Sequence, residues 1–119
     1  MSKILLVEDN PDAVKRIIRY INKIFAELDV VSFPEAGDAL QYAKVNDVSL
    51  FILDIQLEDY KGTSLAKQLR ELPEYKYTPI IFETALAGEE LSAYRDVKCY
   101  SFLVKPFGEE EFVTAFRDA

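Results

Sequence analysis

Three acidic residues, a threonine and a lysine stand at the ends of apolar runs, and together they could hold a divalent cation beside a phosphoryl group. Residues 3–7 lead into Glu8 and Asp9, residues 50–53 into Asp54, residues 79–82 toward Thr84, and residues 100–104 into Lys105 and Pro106. In an open parallel sheet, ligands collect at the carboxyl ends of the strands. Glu8, Asp9 and Asp54 would then crowd one edge and repel each other by about 1 to 4 kcal/mol per pair at contact. A hard cation resolves that repulsion, and oxygen-only ligands with open positions suit Mg2+ better than zinc or copper. Asp54 is the candidate nucleophile, Thr84 supplies a hydroxyl and Lys105 an ammonium. Phosphoryl transfer asks for this inventory, since it needs positioning and charge neutralisation and little else from the protein.

Each residue also has an ordinary reading. Glu8 and Asp9 could be an acidic first helical turn, Thr84 a plain strand residue and Lys105 a solvated lysine at a loop mouth. Asp54 fits its ordinary reading least well, because a carboxylate closing an apolar core strand is costly to desolvate without a partner.

The elements that must position these groups alternate along the chain. Asn10 and Pro11 make an N-cap and first helical residue. Val14, Ile17, Ile18, Ile21, Ile24, Phe25 and Leu28 follow at helical spacing as one buried stripe. Residues 30–33 form a β-branched second strand, and Ala36, Ala39, Leu40 and Ala43 mark a second helix. Residues 50–53 are unbroken apolar, as in a central strand covered on both faces. A helix over 63–72 turns Leu65, Ala66, Leu69 and Leu72 inward and ends at Pro73. A strand at 79–83, a short helix at 88–95, a strand at 100–104 and a helix at 109–117 with Phe112, Val113 and Phe116 inward complete the series. Five βα units in succession predict an α/β fold: a doubly wound, five-stranded parallel sheet of flavodoxin-like type, with right-handed crossovers.

Composition narrows the function classes. The 119 residues suit one domain, 1–119, and the final helical stripe at the chain's end leaves room for a further effector domain beyond it. With 14 Lys and Arg against 21 Asp and Glu, the net charge of −7 argues against direct nucleic-acid binding by this domain. The chain has no His, which removes phosphohistidine and His-metal chemistry from its own repertoire. A lone cysteine, Cys99, and the lack of any apolar stretch near the roughly 18 residues of a membrane span fit a cytoplasmic protein without membrane contact.

Four stretches in order, ILLVED at 4–9, FILDIQL at 51–57 with Gly62 eight residues after Asp54, PIIFETA at 79–85 and FLVKPF at 102–107, resemble the receiver domain of two-component response regulators. The resemblance covers essentially the whole chain. It implies that Asp54 is the phosphoacceptor, that Asp9 binds Mg2+ directly and Glu8 mainly through water, and that the Gln56 backbone carbonyl completes the protein ligands. It implies that Thr84 hydrogen-bonds a phosphoryl oxygen, and that Lys105 pairs with Asp54 before modification and with the phosphoryl group after it. Phe102 falls at the aromatic switch position, coupling Thr84 to a face made by the fourth helix, fifth strand and fifth helix, through which a homodimer could form. The implied partner is a histidine kinase or a histidine phosphotransfer protein.

Two positions depart from the pattern. Glu58 stands where most receivers carry proline, adding negative charge beside the site. Glu83 interrupts an apolar strand where an aliphatic residue is usual; it calls for a partner such as an arginine, a raised pKa, or a strand bulge that makes it a rim residue. The Lys98-Cys99-Tyr100 run and the proline-less loop resemble receivers joined to LytTR-type DNA-binding domains. Two alternatives compete with phosphoacceptance: a degenerate receiver working by constitutive contact, and a Mg2+-dependent aspartyl-phosphate phosphatase. The second lacks its general acid, since Gln56 stands two residues after Asp54. A flavodoxin-like FMN carrier is disfavoured because no Ser/Thr/Gly-rich loop follows the first strand.

Overall fold

A computed structural model describes residues 3–26, 28–55, 62–84 and 101–118, with the side chains of 62, 63, 84, 101, 102 and 118 outside the description. The predicted helix at 88–95, Gln56 and Glu58 lie outside the described residues. The described elements are β1 (Lys3–Val7), α1 (Pro11–Ile24), β2 (Asp29–Phe33), α2 (Ala36–Val45), β3 (Leu50–Asp54), α3 (Gly62–Glu71), a 3-10 turn (Pro73–Tyr75), β4 (Ile80–Thr84), β5 (Ser101–Val104) and α4 (Glu109–Asp118). The last of these is the fifth helix of the sequence reading.

All five strands are parallel, in the order β2-β1-β3-β4-β5. Alternation along each strand divides the core in two. Leu5, Val7, Phe51, Leu53, Ile80 and Phe82 face α2 and α3, packing on Ala39, Ala43, Leu65 and Leu69. Ile4, Leu6, Ile52, Ile81 and Leu103 face α1 and α4, packing on Ile17, Ile21, Phe112 and Phe116. The fold is the doubly wound sheet that the run of βα units predicts.

The ends of α1 have local causes. Asn10 Oδ1 accepts from the Asp12 and Ala13 amides at 2.9 and 3.3 Å, and Pro11 needs no amide partner at the first helical position. The apolar stripe outlasts the helix: the backbone turns extended at Phe25, so Phe25 and Leu28 lie beyond it. Phe25 is 46% exposed, resting its ring against Phe116 at 6.2 Å. Val113 is half-buried rather than inward. On the opposite core the buried Tyr75 hydroxyl reaches the carbonyls of Ala43 and Asn46, and its ring meets Phe51 edge-on. Among the described residues no helix is long and apolar enough to cross a membrane.

Candidate functional site

Sheet register brings the acidic strand ends side by side. Val7 pairs with Leu53 and Asp54 with Glu83, so Glu8, Asp54 and Glu83 stand level on three adjacent strands. Their predecessors Leu6, Ile52 and Ile81, two residues earlier, pack toward α1 and α4, and period-two alternation sends the carboxylates the same way. Leu103 pairs with Glu83 and belongs to that core too. Lys105, two residues further on, therefore enters the same space from β5.

The geometry that results is compact. Lys105 Nζ donates to Glu8 Oε1 at 2.7 Å and to Asp54 Oδ2 at 2.9 Å, and lies 3.5 Å from Glu83 Oε1. The Asn10 amide donates to the other Glu8 oxygen at 3.2 Å, tying the cluster to the start of α1. Glu8, Asp54 and Glu83 each present an oxygen within 4.8 Å of the others. They are 2%, 5% and 0% exposed, so the one ammonium faces three desolvated carboxyl groups. The peptide bond from Lys105 to Pro106 is cis.

Electrostatics separate these groups. Burial pushes the Glu8 carboxyl up, but hydrogen bonds with Glu83, Lys105 and Asp54 and the Lys105 charge outweigh it, bringing Glu8 down to about 2. Burial opposes the charged form of Lys105 as well, yet its bonds to Glu8 and Asp54 and the charge of Glu83 hold it above the ordinary lysine range. Glu83 moves the other way. Burial, then the hydrogen bond and charge of Glu8, drive its carboxyl well above the usual range, with Lys105 only partly opposing. As a carboxylate it would be poorly served, since neither oxygen accepts a hydrogen bond from a described residue. Burial and the neighbouring Glu8 thus favour the neutral form of Glu83 over its carboxylate.

Of the sequence-derived candidates, Glu8, Asp54 and Lys105 converge. Asp9 is half-buried beside them, and the three carboxyls that present oxygens within 4.8 Å of one another are Glu8, Asp54 and Glu83. The backbones of Thr84 and Phe102 sit on β4 and β5, paired with Val104 and Phe82. Gln56 lies outside the described residues. For Glu83 the strand register is continuous, without the bulge a rim position requires, and its charged neighbour is a lysine rather than an arginine. The Glu8–Lys105 pair is new relative to the sequence reading, and an acid inside an apolar run was the one sequence signal for Glu83. An all-oxygen set of buried carboxyls fits a hard divalent cation such as Mg2+.

Known proteins with these features are informative. A family model described as the response regulator receiver domain matches residues 4–117. The cyclic di-GMP phosphodiesterase response regulator RpfG of Xanthomonas campestris is 32% identical over 109 residues, covering 91% of this chain and 29% of that protein. The transcriptional regulatory protein SrrA of Staphylococcus aureus is 31% identical over 118 residues, covering 95% of this chain and 46% of that protein. The chain thus spans less than half the length of these curated relatives. Among solved structures, the chemotaxis response regulator CheY4 of Vibrio cholerae superposes with a TM-score of 0.88 at 24% identity, over 99% of this chain and 98% of that one. The receiver domain of sensor histidine kinase PA1611 from Pseudomonas aeruginosa, solved with a magnesium ion in its active-site cleft, gives 0.84 at 24% identity, over 98% and 95%. At these identities the two structures speak to the fold.

Proposed function

The chain belongs to the response regulator receiver domain family, and from that premise we propose that Asp54 is its phosphoacceptor, with Lys105, Glu8, Asp9 and Thr84 assembled around it. Receiver domains of this kind act as phosphoacceptors in two-component signalling and take their phosphoryl group from histidine kinases. The observation that carries the assignment is a buried Asp54 at the end of the central strand β3, held by Lys105 Nζ at 2.9 Å.

In this reading an Asp54 carboxylate oxygen attacks the phosphorus of a phosphohistidine on the partner kinase or phosphotransfer protein. An O–P bond forms while the P–N bond breaks, and the imidazole leaves with the electron pair. Asp9, Glu8, Asp54 and the Gln56 carbonyl would hold Mg2+, which when bound neutralises charge on the transferring oxygens. The phosphoryl group carries about −1.5 to −2 charge and three acceptor oxygens, and because the Asp54 carboxylate gives up its own charge on esterification the net gain there is about −1. Lys105 then exchanges its carboxylate partners for phosphoryl oxygens, and the Thr84 hydroxyl donates to another. Phe102 on β5 would transmit that change to the output face, a coupling of about 1 to 3 kcal/mol. That face, with α4 and β5, would form a homodimer and govern an effector, DNA-binding in this reading; the similarity to the transcriptional regulatory protein SrrA supports an output in transcription. A cytoplasmic location follows from the reading.

Acetyl phosphate with Mg2+ tests this directly. Intact-mass measurement should detect one added phosphoryl group in the native chain and none in Asp54→Asn. Equal labelling of both proteins would reject Asp54 as the acceptor.

A further inference from the structure

Glu83 has no task in the phosphotransfer just described, yet it costs the fold something to keep. It is fully buried in a strand whose other inward residues are apolar, and neither oxygen accepts a hydrogen bond from a described residue. An aliphatic side chain there would satisfy β4, whose pairing with β3 and β5 is regular at this position. A buried carboxyl kept at such a cost, beside reacting groups, is a candidate for function.

Its neighbours indicate which function. An ammonium has three N–H donors. In the resting arrangement Glu8 and Asp54 accept two of them, at 2.7 and 2.9 Å, and Glu83 Oε1 waits at 3.5 Å. A divalent cation drawn to Glu8 and Asp54 would compete with Lys105 for the two carboxylates that hold it. The Lys105 side chain is only 27% exposed, so an ammonium that lost those acceptors would either compete with the cation or swing out to water unless a third oxygen is within reach. Glu83 supplies that oxygen from a neighbouring strand and the same face of the sheet.

We propose that Glu83 is a positioning residue that keeps Lys105 in the site, and so eases cation entry, when Glu8 and Asp54 turn to a divalent cation. The inference rests on the receiver reading above and extends it to a strand position where the receiver pattern usually has an aliphatic residue.

Calorimetric Mg2+ titration and metal-free thermal unfolding of the whole chain test it, comparing Glu83→Val and Glu83→Gln in the native and Lys105→Met backgrounds. Glu83→Val should weaken Mg2+ binding at least about fivefold while raising the metal-free Tm by about 3 to 6 °C, because a poorly satisfied buried acid becomes an apolar strand residue. Glu83→Gln keeps an accepting oxygen and should bind within about twofold of native. In Lys105→Met, Glu83→Val should have no further effect on affinity. Weakening that persists there would make Glu83 a direct cation ligand and overturn the positioning role, as would native affinity in Glu83→Val or loss of affinity in Glu83→Gln. If Glu83→Val does not fold, Glu83→Ala takes its place under the same expectations. Native protein that binds no Mg2+ at about millimolar concentration would instead remove the receiver reading, and this inference with it.

Discussion

Two buried polar clusters in this molecule solve the same problem in opposite ways. Around Tyr75, between α2, α3 and the 3-10 turn, neutral backbone carbonyls serve as acceptors: the hydroxyl reaches Ala43 and Asn46, and nearby Arg70 donates to the carbonyls of Tyr75 and Thr78 at 2.8 and 2.6 Å. At the carboxyl ends of β1, β3 and β4, three buried carboxyls lean on one lysine, and one of them lacks any hydrogen-bond donor among the described residues. The first arrangement is satisfied and closes the core. The second is under-satisfied, and its frustration is what a bound cation can relieve.

That contrast can be broken most strongly at Lys105. Lys105→Met leaves the carboxyls without their cation and should destabilise the metal-free protein by about 3 kcal/mol in urea melts. Mg2+ should restore more stability to this variant than to the native chain, because its competitor is gone. An equal Mg2+ response in both proteins would separate the lysine from the cation site.

The pH dependence of stability should carry the signature of the acidic cluster. Glu8 is depressed to about 2, so its stabilisation is complete above the ordinary carboxyl pKa near 4.5 and is lost as pH falls from there toward 2. Glu83 is raised, so its contribution is greatest below about 4.5 and fades as pH climbs toward its folded value. The two opposing limbs predict a local maximum of Tm near pH 4.5. Glu83→Val should flatten the alkaline limb and also weaken the acid one, because Glu83 is among the groups that hold Glu8 down; a profile identical to native would contradict the coupling of the two carboxyls.

At the other cluster, Tyr75→Phe deprives the two carbonyls of their donor and should cost about 1 to 2 kcal/mol. Mg2+ affinity should stay at the native value. A change in affinity would mean that the two clusters communicate across the sheet. The smallest effect is expected at the exposed Lys23–Glu109 pair, 2.9 Å apart, which joins α1 to α4. Lys23→Ala should shift stability by less than about 0.5 kcal/mol and fade further in salt.

Much of this was legible beforehand. The cap at Asn10–Pro11, the five apolar runs and the βα alternation are local signals, and a strand buried on both faces can hardly be written otherwise. The chemistry at strand ends was legible for the same reason, since Asp54 and Lys105 terminate runs with no other polar residue of their kind. Boundaries were less secure: Phe25 and Leu28 kept helical spacing although the backbone had already turned extended. Apolar periodicity records what is buried, and a loop folded onto the core buries the same residue types.

Sequence by itself determined which residues carry charge, where each apolar run stops, and that the runs must stack as a parallel sheet with helices on both sides. Tertiary structure alone decided that β3 lies between β1 and β4, and that the register sets Asp54 opposite Glu83. Register is a property of paired strands, and a slip of one residue would turn Glu83 to the opposite core. The same pairing selected Lys105 as the shared cation of Glu8, Asp54 and Glu83, because electrostatic partnership inside a protein depends on distances of a few ångströms that chain order does not contain.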